Sequence, residues 1–431
     1  MKTMILTLFV CSACLSCLFT SCSTTNEKKN KQWNNIDISK IEKQVNKLKI
    51  SQIGKSIRYI PLETTDESLL EGNFSIQLLS QEILVSTGKH CMLFDRETGK
   101  YLRKIGSVGE HLGGYSSPIC FVKQQDETLY FHRRQGNKLI GYDKKGTLVS
   151  EIFLPTSTTS FSYPVLFDSI MVFSQFGFPG EKIKHRIYVC NFRGEGLDSV
   201  LNNQCFPQKE DMSKGIEVKS VSFYKGLSTS KERPYGLLFR NGGLVLNKID
   251  NTTEIIPVHY PNLWNLNDKI HFHEIFSDTI FQFQDGLLTP RWVFQTGNRH
   301  LTMQKREIGL KDGTENSLVI TDVLETNSQI LFHCSMDVFD KPKSYQGLYL
   351  KESGEVFLSK GENGFIDDIN NFLPIHPVVC GSNGEFVDLL SIEDIQIFFE
   401  KNSNVELDKS IMDLKTLEYD ANPVCVIIEP F

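Results

Sequence analysis

Three groups of residues in this chain have types and spacings that could carry chemistry. His132-Arg133-Arg134 is the densest basic spot beside aromatic residues, and the fixed fork of N–H donors on a guanidinium suits carboxylates or sulfates. An ordinary surface turn is the competing reading. His271 and His273 lie two residues apart, so on a strand they share one face and could ligate a metal, while Glu274 points the other way. No third ligand is identifiable by spacing, which favours plain strand histidines. Asp367 and Asp368 with Glu362 could supply the paired carboxylates of glycoside cleavage, against a solvated loop or Asx turn.

Other motifs are weaker. Gly106-Ser107-Val108-Gly109 with Gly113-Gly114 has the composition of a phosphate-cradling loop, but it opens no helix and no Lys-Ser/Thr follows, so these read as turn glycines. There is no G-x-S-x-G elbow and no Ser/His/Asp order. Past the N-terminal leader no C-x-x-C pair occurs, so neither a zinc ribbon nor a thioredoxin-type site is indicated. Cys91, Cys120, Cys190, Cys205, Cys334, Cys380 and Cys425 sit mostly in apolar strands and read as buried free thiols rather than a disulfide framework. His132, Arg133 and Arg134 therefore rank first as ligand-binding residues. No catalytic residue, metal ligand or cofactor is assigned.

The elements that must position these residues are announced by a returning glycine. Gly99, Gly146, Gly194, Gly242, Gly286 and Gly354 each follow an apolar strand and precede another, as in Leu93-Phe94-Asp95 before Gly99 and Tyr101 to Ile105 after it. Four of the five steps are 44 to 48 residues and the last is 68. A period of about 40–50 residues carrying hairpins is the mark of a propeller blade. Six units predict an all-β, six-bladed β-propeller. Gly242 is placed chiefly because the interval from Gly194 to Gly286 spans two periods. Ring closure predicts that one blade takes strands from both chain ends, with Ile57–Leu62 beside Val424–Ile428.

The N-terminus reads as an address. Lys2 precedes an apolar or small stretch from Met4 to Phe19, and Phe19-Thr20-Ser21-Cys22 closes it with small residues before a cysteine. That pattern resembles a bacterial lipobox, which makes Cys22 the lipid-attachment residue. The expected organisation is a signal peptide over 1–21, a polar tether over 22–50 and the propeller over 51–431. Within the tether, Ile36, Ile38, Ile41, Val45 and Leu48 leave open a helix, a peripheral strand or a loose leash. From Ile57 onward the pattern is read as strand to the end.

Composition fits a single large extracytoplasmic domain. The net charge of −6 with both signs interspersed offers no basic stripe, which excludes nucleic acid as a partner. The aromatic fraction of 11%, led by phenylalanine, suits sheets packed face to face.

Several motifs together resemble the six-bladed, NHL-like β-propeller lipoproteins of Gram-negative bacteria. They are Ile60-Pro61-Leu62-Glu63-Thr64, Phe94-Asp95 to Gly106 with Gly109 and Gly113-Gly114-Tyr115, Ser277-Asp278-Thr279-Ile280-Phe281, and Asp420-Ala421-Asn422-Pro423-Val424. The resemblance covers nearly the whole mature chain. It implies a cell-envelope, outer-membrane lipoprotein held by its N-terminal lipid, on a periplasmic or surface face. Two functions remain to be distinguished: a module that binds a peptide, glycan or protein, and a carbohydrate-active hydrolase or lyase with its site at the propeller funnel.

Overall fold

The computed structural model describes residues 34–42, 46–72, 74–155, 164–167, 169–174, 185–201, 218–224, 241–248, 253–259, 262–274, 277–301, 316–337 and 343–431. The leader, Cys22 and the first part of the tether lie outside the described residues.

Six antiparallel sheets form a ring. From inner to outer strand, blade one is Phe74–Leu78, Glu82–Thr87, Cys91–Asp95 and Tyr101–Lys104. Blade two is Cys120–Val122, Leu129–Arg133, Lys138–Tyr142 and Leu148–Phe153. Blade three is Val165–Leu166, Ile170–Ser174, His185–Asn191 and Gly196–Leu201. Blade four is Asn262–Leu266, Lys269–His273, Thr279–Gln284 and Leu287–Gln295. Blade five is Leu318–Glu325, Gln329–Met336, Lys343–Leu350 and Val356–Lys360. Blade six is Val379–Cys380, Phe386–Leu390, Val424–Glu429 and, from the other chain end, Ser56–Pro61.

The ring order follows from contacts between inner strands. Gln77 of blade one donates to the Cys120 carbonyl of blade two at 3.0 Å. The inner strands of blades two and three, three and four, four and five, five and six, and six and one touch in turn. Closure falls where expected, with Ile57 opposite Ile428 and Pro61 opposite Val424.

The six blades are not quite the six units of the repeat. Gly99, Gly146, Gly194, Gly286 and Gly354 all have positive φ and stand between third and outer strands, where an L side chain would be strained. Gly242 instead lies inside the strand Asn241–Lys248, paired with Val258. Its sheet, with Val218–Tyr224 and Thr253–His259, is three-stranded and separate from the ring sheets, and blade three packs directly on blade four. The sixth blade is the closing one. Its third and outer strands come from opposite chain ends, so no turn joins them and no glycine marks it.

Middle strands are buried on both faces, because each sheet is covered by a blade on either side; Cys91–Phe94 is an unbroken buried run. The cores are therefore interblade layers. Val172, Ile187 and Val189 of blade three, for example, pack on Ile270, Phe272 and Phe283 of blade four.

The first described segment is a strap on the ring. Asn34–Asp37 adds in parallel to the outer strand of blade four, and Asn46 donates to the Leu358 carbonyl of blade five at 2.5 Å. Leu48–Lys49 then pairs with Phe365–Ile366 ahead of blade six. Ile36, Ile38, Ile41, Leu48 and Ile50 are wholly buried, so the packed domain begins at Asn34, upstream of residue 51.

Blade six also carries helices where strand was expected. Helix α1 (Ile392–Lys401) is capped by the Ser391 hydroxyl, which accepts from the Asp394 N–H, and buries Ile392, Ile395 and Phe399. Helix α2 (Lys409–Met412) follows with Ile411 buried. Among the described residues no helix is long and apolar enough to cross a membrane.

Candidate functional site

The basic triplet lies at the hairpin between the second and third strands of blade two. Arg133 is engaged locally: its guanidinium donates to the Glu110 carbonyl at 2.8 Å, the His111 carbonyl at 3.3 Å and Gln135 Oε1 at 3.2 Å. His132 Nε2 is 3.3 Å from Asn137 Oδ1, and the Arg134 backbone N–H donates to the Ser116 hydroxyl at 2.8 Å. The triplet thus ties the glycine-rich loop before blade two to the hairpin. Only Arg134 extends an exposed side chain.

His271 and His273 do not converge on a common point. His271 Nδ1 hydrogen-bonds the Glu325 carboxylate, whereas His273 Nε2 meets the Ser277 carbonyl at 3.1 Å. Burial holds the His273 imidazole down at about 4, against the pull of the Ser277 carbonyl and Asp322. Among the described residues no three His, Cys, Asp or Glu side chains are arranged to hold a metal ion. The loop carboxylates likewise part company. Asp367 accepts the Ile369 and Asn370 N–H groups as an Asx turn, together with the Tyr59 hydroxyl at 2.5 Å. Asp368 holds the Ser51 N–H and hydroxyl.

The densest polar site is one that spacing did not flag. At the inner end of blade five Glu325 is almost fully enclosed and accepts from four side chains. Trp264 Nε1 lies at 3.1 Å, Trp292 Nε1 at 2.9 Å and Lys351 Nζ at 2.7 Å, with His271 as the fourth. Lys351 also donates to the Thr326 carbonyl at 2.6 Å and stands over the Trp292 ring at 5.2 Å. Burial alone would raise the Glu325 carboxyl, but His271 and Lys351 bring it down to about 2. Such a carboxylate stays ionised, and its two oxygens are already occupied by donors. Three of its partners come from blade four, so it is a junction rather than a base. The sequence signal available was the placement of indoles, imidazole and carboxylate on strands, which does not reveal that they meet.

Other junctions use the same device. Arg96 of blade one donates to Glu385 of blade six at 2.6 Å, both buried. Lys144 of blade two reaches Glu82 of blade one at 2.9 Å and also Glu127 at 2.6 Å. Arg186 of blade three pairs with Glu274 after blade four's second strand. On the other side of blade five, Asp322, His333, Gln346 and Ser359 stand opposite one another as a buried row across all four strands. Asp322 also accepts from Asn262 of blade four at 2.9 Å.

A family model described as a domain of unknown function, DUF4934, matches residues 33–429. No curated protein matches the chain. Among solved structures, a candidate exported protein from Bacteroides fragilis superposes with a TM-score of 0.60 at 13% identity, covering 92% of this chain and 100% of its own. A member of the DUF4221 family from Bacteroides vulgatus aligns with a TM-score of 0.44 at 9% identity, over 87% of this chain and 96% of that one. The first of these likenesses carries the fold and nothing finer.

Proposed function

The chain belongs to the DUF4934 family, and on that premise we propose that it is an extracytoplasmic binding module, lipid-anchored through Cys22, whose propeller grips a peptide, glycan or protein. The observation that carries the reading is the state of Glu325. This buried carboxylate, which strands of two blades bring together, has its oxygens occupied by Trp264, Trp292, His271 and Lys351, and so holds two blades in place. Arg96 with Glu385 and Arg186 with Glu274 serve other junctions in the same way. A ring braced like this is a rigid platform whose loops are available for recognition. The Bacteroides fragilis neighbour is itself described as a candidate exported protein, in keeping with the leader read at Met4–Phe19. Arg134, exposed beside the engaged Arg133, is the residue we assign to anionic groups of a ligand.

The test has two arms. In a Gram-negative host fed an alkyne fatty acid, the wild-type chain takes up label and sediments with outer membranes, while Cys22→Ala loses both. Unlabelled wild-type chain overturns the anchor. The purified propeller is then screened against glycans and peptides. Saturable binding weakened by Arg134→Ala supports the module, whereas turnover of a glycan replaces it with the hydrolase or lyase reading.

A further inference from the structure

We propose that the axial mouth at the inner-hairpin end of the ring binds a neutral glycan, an inference that rests on the binding-module reading above and gives that module a second face. In each blade the inner strand leads by a hairpin into the second strand, and the inner strands of blades two and three run parallel where Lys123 meets Leu166. The inner hairpins therefore gather at one end of the ring. Arg134, on a second-to-third hairpin, stands at the other. Two amide pairs join the gathered hairpins. Asn267 Nδ2 of blade four donates to Asn327 Oδ1 of blade five at 2.5 Å, and Asn265 Nδ2 of blade four donates to Gln124 Oε1, just after the inner strand of blade two. Blade three stands between blades two and four, so the second pair meets across the axis.

Charge and polarity define the ligand. Lys144, Arg96 and Lys351 reach this end from the third-to-outer turns, and carboxylates already hold all three: Glu82 and Glu127 for Lys144, Glu385 for Arg96 and Glu325 for Lys351. They are spent on the ring and leave no free cation of their own for an acidic ligand. Among the described residues no exposed large hydrophobic side chain lies on an inner hairpin, so a peptide's apolar side chains have nothing there to pack on. What the mouth presents is carboxamide, with Gln124, Asn267 and Asn327 exposed. Each carboxamide carries two N–H donors and an acceptor oxygen with two lone pairs, and the pairing above uses only part of that capacity. Vicinal hydroxyls match it: one hydroxyl donates to the amide oxygen while its neighbour accepts from the amide nitrogen. Asn265 Oδ1 is buried without a partner, and a sugar hydroxyl that takes the place of Gln124 beside it supplies the missing donor.

The full chain, purified in detergent, is applied to an array of neutral, carboxylated and sulfated glycans, and the bound glycans are titrated by calorimetry. At least one neutral glycan is expected to bind saturably, with an affinity that added salt leaves unchanged. Gln124→Ala and Asn327→Ala should each weaken it about three- to tenfold, the worth of one or two hydrogen bonds, and Arg134→Ala should not. Thermal midpoints of the variants show that they remain folded. Retention of no neutral glycan overturns the proposal, as does a neutral glycan whose affinity ignores both amide variants, or a peptide whose binding alone responds to them. Anionic glycans lost with Arg134→Ala and no neutral one would end the amide mouth and leave the binding module standing. Arrays of glycans and of peptides that both stay blank would end the module itself.

Discussion

The indole N–H of Trp292 donates to Glu325 Oε1 at 2.9 Å, and the same oxygen accepts from Lys351 at 2.7 Å. One atom thereby joins the outer strand of blade four to the first strand of blade five and to the turn after its third. Removing one partner leaves a buried charge without compensation.

Glu325→Ala is accordingly expected to destabilise the domain by about 3–5 kcal/mol. The double variant Glu325→Gln with Lys351→Met should cost less than the sum of its singles, since each single strands the other's polar group. Urea unfolding followed by tryptophan fluorescence measures both, because Trp264 and Trp292 each touch the carboxylate. Additive effects would mean that the two side chains are not coupled.

Acid should weaken the fold in two stages. His273 is depressed to about 4 in the folded protein, so below its unfolded value near 6.5 the unfolded chain binds the extra proton. Its contribution is complete above pH 6.5 and falls by about 3 kcal/mol as pH drops to 4. Glu325, depressed to about 2, contributes above pH 4.5 and loses a similar amount, about 3 kcal/mol, between pH 4.5 and 2. Denaturant midpoints recorded from pH 7.5 to 3 should hold steady to about pH 6.5 and fall from there. His273→Gln should flatten the upper stage alone.

The strap should carry stability out of proportion to its length. Ile38 and Ile41 are fully buried against blades four and five, and each change to alanine is expected to cost about 2–5 kcal/mol. Hydrogen exchange should then quicken in Trp292–Gln295, the stretch that pairs with Asn34–Asp37. Unchanged exchange there would show that the strap is not coupled to the edge it covers.

Two turn glycines with almost the same φ should respond differently to alanine. At Gly354 (φ +72°) a Cβ meets nothing within 4 Å, so the cost is the left-handed backbone alone, about 1–2 kcal/mol. At Gly99 (φ +70°) the Cβ would sit 2.0 Å from the Pro61 carbonyl oxygen of blade six's outer strand, and the loss should be at least about twice as large. Thermal unfolding of the two variants settles the comparison.

Much of the fold was legible because turn chemistry is local. A positive φ between two strands selects glycine within a few residues, which is how five blades announced themselves at Gly99, Gly146, Gly194, Gly286 and Gly354. The closing blade was missed as a unit for the same reason: its Ile57 and Ile428 meet without a turn. Gly242 filled the count from a strand interior. The helical cap at Ser391 and the apolar spacing of Ile392, Ile395 and Phe399 were present in the sequence but passed over in favour of continuous strand.

By itself the sequence determined the architecture's period, the hairpins of five of the six blades, the pairing of the two chain ends and the apolar faces from which the blades are built, since each follows from local backbone preference, from alternation along a strand or from the need to close the ring. Only the tertiary structure decided which blades are neighbours, that Ile36, Ile38 and Ile41 form a buried strap, and that Glu325 gathers two indoles, an imidazole and an ammonium. Those outcomes depend on side chains brought together from distant parts of the chain. Burial and charge pairing act through space, and spacing along the backbone does not encode them. The glycines mark where strands turn; packing between blades determines what the turns hold together.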